Sequence, residues 1–285
     1  MKGGMGEEKR GSMAEYDPVK IEVYKNLFAS VAEEMGEALV RAAYSPNIKE
    51  RRDCSCAVFD GGGAMVAQAA HIPVHLGSTP MSVRSVMESL DLDPGDAALL
   101  NDPYRGGTHL PDLTLVTPFY HHKGGRLDED RPLFYLANRA HHADVGGASY
   151  GSMPLAREIF QEGLRIPPVK IVRRGEMDGD LLKLILANCR SPEEREGDLV
   201  AQIAANDLGL RRLDELIRKK GRAEVLKYAE ELKEYAERLT REAIRRIPNG
   251  AYRFRDRLDR EADWEDDAWI EVLLGTEGSA LTVDF

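Results

Sequence analysis

Between Cys54 and Ala137 the apolar residues come in short runs: Cys54–Phe59, Ala64–Ala69, Ala97–Leu100, Leu113–Tyr120 and Leu133–Ala137. Each is closed off by turn-forming or polar residues. Runs this short fit strands buried in a sheet. Asp60-Gly-Gly-Gly63 joins the first two as a hairpin. A short helix is predicted from about Pro80 to Leu90. Ahead of the strands, Ile21, Tyr24, Leu27, Phe28, Val31, Met35, Leu39 and Val40 recur at three- and four-residue steps. That spacing predicts a helix from Asp17 to about Ala43, with Asp17 as cap and Pro18 in its first turn. The expected class is α+β: a mixed sheet with metal-bearing loops, then a helical segment and terminal strands.

Four regions follow from this pattern. Residues 1–16 read as a disordered tail, because MKGGMGEEKRGS lacks the apolar core of a signal peptide. Residues 17–163 form the α+β core, with His121–Arg131 as a polar hairpin tip. Residues 164–247 are charge-rich and mostly helical, the charges reading as a solvated face. Residues 248–285 return to strands, and the last of them, within Ala280–Phe285, is either a sheet edge or part of a longer gene product. A net charge of −10 argues against nucleic acid and anionic membranes as partners. No apolar run approaches the roughly 18 residues of a membrane span. Three cysteines make no disulfide framework, so a reducing cytoplasm is expected.

The chemistry concentrates in two copies of one motif, His109-Leu-Pro-Asp112 and His141-His-Ala-Asp144. On an extended strand, positions three apart face opposite sides, so each pair converges only on a turn. Pro111 interrupts the first motif and Gly146-Gly147 follow the second, so both are expected in turns beside apolar strands. Imidazole with carboxylate suits Zn, Mn or Fe(II). One such pair is commonly a surface feature; two at the ends of buried strands point to a metal site. His71 and His75 either line a cleft or are satisfied structural groups. Gly61-Gly-Gly63 and Gly106-Gly107 read as turns rather than phosphate cradles. Cys54 and Cys56 share one strand face and read as core.

These residues lie within segments that resemble the hydantoinase B/5-oxoprolinase B-type family, which includes N-methylhydantoinase and caprolactamase B-type subunits and a large subunit of acetone carboxylase. The segments are Glu50-Arg-Arg-Asp-Cys-Ser55, Phe59-Asp-Gly61, His71-Ile-Pro-Val-His-Leu-Gly77, Asn101-Asp-Pro-Tyr-Arg-Gly-Gly-Thr-His-Leu-Pro-Asp112 and Ala140-His-His-Ala-Asp-Val-Gly-Gly147. Gly151-Ser-Met-Pro154, Glu162-Gly163, Asn188-Cys-Arg190, Gly197-Asp-Leu199, Ile247-Pro-Asn-Gly-Ala-Tyr252 and Leu281-Thr-Val-Asp-Phe285 continue the match.

The resemblance implies a two-part, ATP-dependent cyclic-amide hydrolase. An A-type partner binds ATP and phosphorylates the carbonyl oxygen. The B-type subunit holds a divalent metal that activates water against it. The implied ligands are Asp53, His109, Asp112 and His141. Asp144 and His75 are the candidates for proton handling, and Asp102 and Arg105 for positioning substrate. His142 is read as variable. Family members are longer, with a Gly-rich half that would begin after Phe285, so a separate C-terminal B-type half is a second expected partner in a hetero-oligomer. A ketone carboxylase subunit and a non-catalytic fragment are the alternatives.

Overall fold

Asp17 caps the first helix, α1 (Pro18–Ala42), its carboxylate accepting from the backbone N–H groups of Val19 and Lys20. The computed structural model describes residues 17–285 apart from His71, Gly125, Asp128 and 259–267. The expected tail (1–16) and His71 lie outside the described residues. A single turn, α2 (Pro46–Lys49), leads to the predicted hairpin of β1 (Cys54–Asp60) and β2 (Met65–Ala70). Helix α3 (His75–Ser89) starts earlier than predicted and contains Pro80 in its interior rather than at its start. Then come β3 (Ala97–Leu100), β4 (Asp112–Phe119), a two-residue hairpin of β5 (His122–Lys123) and β6 (Arg126–Leu127), and β7 (Phe134–His141). Strands β8 (Val169–Arg173) and β9 (Glu176–Met177) precede α4 (Gly179–Ala187), α5 (Pro192–Lys220) and α6 (Arg222–Arg245). The last strands are β10 (Gly250–Arg257), β11 (Trp269–Glu277) and β12 (Ala280–Asp284).

The α+β class holds. Within it, every strand pairing described is antiparallel where a mixed sheet is expected. The large sheet runs β2-β1-β7-β4-β3-β8-β9. Both its faces are covered, which is why its strands read as apolar runs rather than as alternating patterns. Ala57, Phe59, Ala98, Leu100, Val116, Tyr135 and Ala137 pack with Val83 and Val86 of α3 on one side. Leu99, Leu113, Leu115 and Ile171 pack with Ile185 of α4 and Leu199 of α5 on the other.

The chain forms two compact units, one ending at Ala229 and the other Glu230–Phe285, and the first takes in α4 and α5. The reason lies in α5, whose charged sequence hides a polar face turned inward. Arg195, Asp198, Gln202 and Asn206 are all buried. Gln202 Nε2 donates to the Leu113 carbonyl and to Asn138 Oδ1, and Asn206 donates to Thr117, which fastens α5 to β4 and β7. Gly209 allows this approach, since a Cβ there would lie 2.5 Å from Met35 Sδ and 2.7 Å from Leu136 Cδ1.

At the other end of β3, Asp96 accepts from Lys170 Nζ at 2.6 Å and from the backbone N–H groups of Arg174 and Asp93. Burial alone would raise its pKa; Lys170 and the two N–H groups outweigh that and hold the carboxyl below its ordinary value. Its contribution to stability is therefore present above about pH 4 and fades as pH falls through the depressed folded value. Asp96→Asn is expected to destabilise the first unit by about 2 kcal/mol at neutral pH. Urea unfolding at several pH values checks this, the gap to the parent protein narrowing on acidification.

Candidate metal centre

Strand β4 begins at Asp112 and β7 ends at His141, and the ladder places these two residues directly opposite each other. Alternation along the strands turns both to the α3 side, in line with Thr114 and Arg139 two residues further in. Asp53, one residue before β1, continues the row onto a third strand, its carbonyl accepting from the His141 N–H at 3.0 Å. The convergence expected from turns within each motif thus arises mainly from cross-strand pairing. Only the first motif closes on itself: a turn in which the Asp112 N–H donates to the His109 carbonyl brings His109 back over Asp112.

Three donor atoms meet there. His109 Nε2 lies 3.2 Å from His141 Nδ1 and 3.4 Å from Asp112 Oδ1, and His141 Nδ1 lies 3.1 Å from Asp112 Oδ1. Two ligands bound at about 2.1 Å with tetrahedral angles would be about 3.4 Å apart, so this triangle has the dimensions of one face of a metal site. Among the described residues these three alone form such a group. Asp53 stands beside the triangle rather than within it, close enough for its charge to act on His109.

The second Asp112 oxygen is held separately. Oδ2 accepts from Thr108 Oγ1 at 2.8 Å and faces His75 Nε2 at 3.6 Å, while His75 Nδ1 contacts Ser55 Oγ at 2.9 Å. Burial by itself would raise the Asp112 pKa, but hydrogen bonds from His109, His141 and His75 hold it well below the usual carboxylate range. In turn, Asp112 raises the pKa of His109 against the opposing effect of burial. Asp112 is thus an anion whose Oδ1 faces the two ring nitrogens. The His109 side chain is 37% exposed, whereas those of His141 and Asp112 are 12% and 4%, so the cluster opens to solvent on the His109 side.

Other predicted residues lie elsewhere. Asp144 is fully buried, held by the Arg190 backbone N–H and by Arg190 Nη1, both at 2.8 Å, and is not part of the triangle. It ties the Gly146 backbone to Arg190. Asp102 is buried, accepts from the Tyr104 N–H and pairs with Arg165 at 3.7 Å. Arg105 is exposed at the end of a short 3-10 turn, Pro103–Arg105. His142 points the opposite way from His141, with Nε2 against Gln202 Oε1 at 2.9 Å, and burial brings its pKa well below the usual histidine value. Cys54 and Cys56 are core, and burial pushes the Cys54 thiol up to about 12. Sequence reasoning passed over Thr108, Ser55 and Arg139. Each sits one or two residues from a predicted ligand, a proximity that gave the only hint.

Gly106-Gly107 is a turn, and a tight one. Gly106 has φ +88°, and a Cβ on it would lie 2.5 Å from the Met81 carbonyl carbon of α3. Gly106→Ala is expected to cost about 3 kcal/mol and to shift the segment that carries His109. Thermal unfolding measures the first effect and metal affinity the second. An unrelated cavity of about 300 Å³, lined by Phe119, Tyr120, Leu210 and Arg211, lies at the opposite end of β4.

A family model described as hydantoinase B/oxoprolinase matches residues 17–285. An uncharacterized Methanocaldococcus jannaschii protein is 42% identical over 237 residues, covering 81% of this chain and 41% of that protein. A 5-oxoprolinase of Dictyostelium discoideum is 38% identical over 242 residues, which cover 84% of this chain and 19% of the enzyme. Among solved structures, the ATP-dependent caprolactamase from Pseudomonas jessenii superposes with a TM-score of 0.83 at 30% identity, covering 95% of this chain and 46% of that one. The chain therefore spans less than half the length of each of these relatives.

Proposed function

The chain belongs to the hydantoinase B/oxoprolinase family, and from that premise we propose that it supplies the metal site of an ATP-dependent hydrolase acting on the C–N bond of a cyclic amide. The observation that carries the reading is the triangle of His109 Nε2, His141 Nδ1 and Asp112 Oδ1, whose edges of 3.1–3.4 Å suit one small divalent ion. Two of the similar enzymes, a 5-oxoprolinase and an ATP-dependent caprolactamase, carry names that denote lactam substrates.

In this reading His109, Asp112 and His141 hold the ion, and Asp53 joins them as a fourth ligand. Nitrogen and oxygen donors suit Zn, Mn or Fe(II). When bound, such an ion acts as a Lewis acid toward water and the activated carbonyl. Thr108 and His75 fix Asp112 Oδ2 so that Oδ1 stays with the ring nitrogens. His75, buried with both ring nitrogens engaged, orients Asp112 more readily than it exchanges protons with substrate. Asp144 supports the backbone through Arg190. Arg105, exposed on the segment that leads to His109, positions substrate, and Asp102 holds that segment in shape. An A-type subunit supplies ATP and phosphorylates the carbonyl oxygen, in the cytoplasm.

The test is turnover by this chain assembled with its A-type partner, given ATP and a panel of a hydantoin, 5-oxoproline and caprolactam. ATP-dependent ring opening of one of them is expected. A product that requires bicarbonate would replace hydrolysis with ketone carboxylation, the second reading that the family allows.

One sheet face supports assembly with further B-type sequence. Strand register puts Tyr252, Phe254, Ile270, Val272, Leu274, Leu281 and Val283 on one face of the β10-β11-β12 sheet. Phe254 is 65% exposed and Ile270 49%, with Asp256 beside them, while the opposite face carries Arg253, Arg255 and Glu271 together with Trp269 and Leu273. An exposed apolar face of this kind supports an interface there. The B-type portion that the longer relatives carry and this chain does not span is its proposed occupant. Residues 17–285 by themselves are expected to self-associate with concentration in light scattering, and supplying that remaining portion to yield a defined, concentration-independent species.

A further inference from the structure

Arg139 is a fully buried arginine, lying one same-face position inward from His141 on β7. Nε donates to Thr114 Oγ1 at 2.8 Å, Nη1 donates to Ser78 Oγ, and Nη2 donates to Ser82 Oγ at 2.8 Å and to the Gly106 carbonyl at 3.4 Å. Its hydrogen-bond partners among the described residues are therefore three hydroxyls and one carbonyl. A buried guanidinium without a direct counter-ion is costly, and such groups are kept where they serve a site.

The partners belong to the three pieces of backbone that bring the donor cluster together. Thr114 is on β4, two residues from Asp112. Ser78 and Ser82 follow His75 by three and seven positions, on the same face of α3. Gly106 is in the segment that delivers Thr108 and His109. Ser82 also donates to the Gly106 carbonyl at 2.6 Å, closing the link between helix and segment.

We infer that Arg139 is the positioning residue of the metal centre, its planar fork fixing the distances at which α3 and the Gly106–His109 segment present His75 and His109 to Asp112 and His141. Only a guanidinium has rigid donors aimed in several directions; a lysine ammonium offers one point on a flexible stem. The inference rests on the proposed metal site, and its test separates the two.

Cobalt(II) is titrated into the full chain and into Arg139→Lys, following the visible absorption bands. The variant is expected to stay folded by circular dichroism, to bind Co(II) about 10- to 100-fold more weakly, and to show shifted bands. Folded Arg139→Lys with the parent affinity and spectrum overturns the inference. Should that variant fail to fold, Ser78→Ala removes one acceptor at a half-buried position. A loss of about 10-fold is then expected, and an unchanged affinity and spectrum again overturns it. If the parent itself binds no Co(II), the metal reading fails. The positioning role is then read from the imidazole NMR signals of the metal-free proteins: those of His75 and His109 move in a folded variant if the inference is right, and stay in place if it is wrong.

Discussion

Asp112→Ala is expected to remove stoichiometric binding of a divalent ion from this chain. Losing an outer partner of a metal ligand typically costs 10- to 100-fold in affinity, and Asp112 is at the centre of the group rather than outside it, so a loss greater than about 100-fold is expected. Three imidazoles act on this one carboxylate, and it is the only member of the triangle that supplies charge. Asp112→Asn preserves shape and the Thr108 contact but removes the charge, and it should sit between the parent and the alanine variant. Isothermal titration with Mn²⁺ or Zn²⁺ measures all three. By contrast, Asp144→Asn should leave metal affinity close to the parent while lowering thermal stability, because Asp144 serves Arg190 and backbone N–H groups.

The second large effect concerns stability. Gln202→Leu is expected to destabilise the first unit by about 4 kcal/mol, because it leaves His142 Nε2, the Leu113 carbonyl and Asn138 Oδ1 without their buried partner. For a unit of this size that corresponds to a fall in Tm of about 10 °C, measurable by calorimetry. Because Leu113 and His142 directly follow Asp112 and His141, metal affinity should weaken with it, though less than in Asp112→Ala.

These two residues also mark how far the sequence could be read. His109, Asp112 and His141 stood out as members of two His-x-x-Asp pairs at the ends of buried strands, and only the family resemblance set Asp112 apart from Asp144. A turn accounts for the approach of His109 to Asp112 alone. Asp112 and His141 meet because antiparallel register sets them opposite each other, and register is a long-range property that no local spacing reports. Gln202 was illegible for a different reason. On α5 it lies in the run Leu199–Ala205 with charged residues on either side, and a polar residue paired to buried strands has the same sequence signature as one paired to water. Arg139 was hidden likewise, as a charged residue inside an apolar run whose satisfaction depends on serines some sixty residues away. The seven-stranded core shows the same division. Its apolar runs were plain, whereas β8 and β9, short and adjacent to charges, were absorbed into an expected helical region.

X-ray absorption on the zinc-loaded chain tests the central claim most directly. A first shell of nitrogen and oxygen at about 2.0–2.2 Å, with the outer-shell scattering of two imidazoles that disappears in His109→Ala/His141→Ala, is the predicted result. A sulfur shell at about 2.3 Å, or zinc retained unchanged by the double variant, would contradict it.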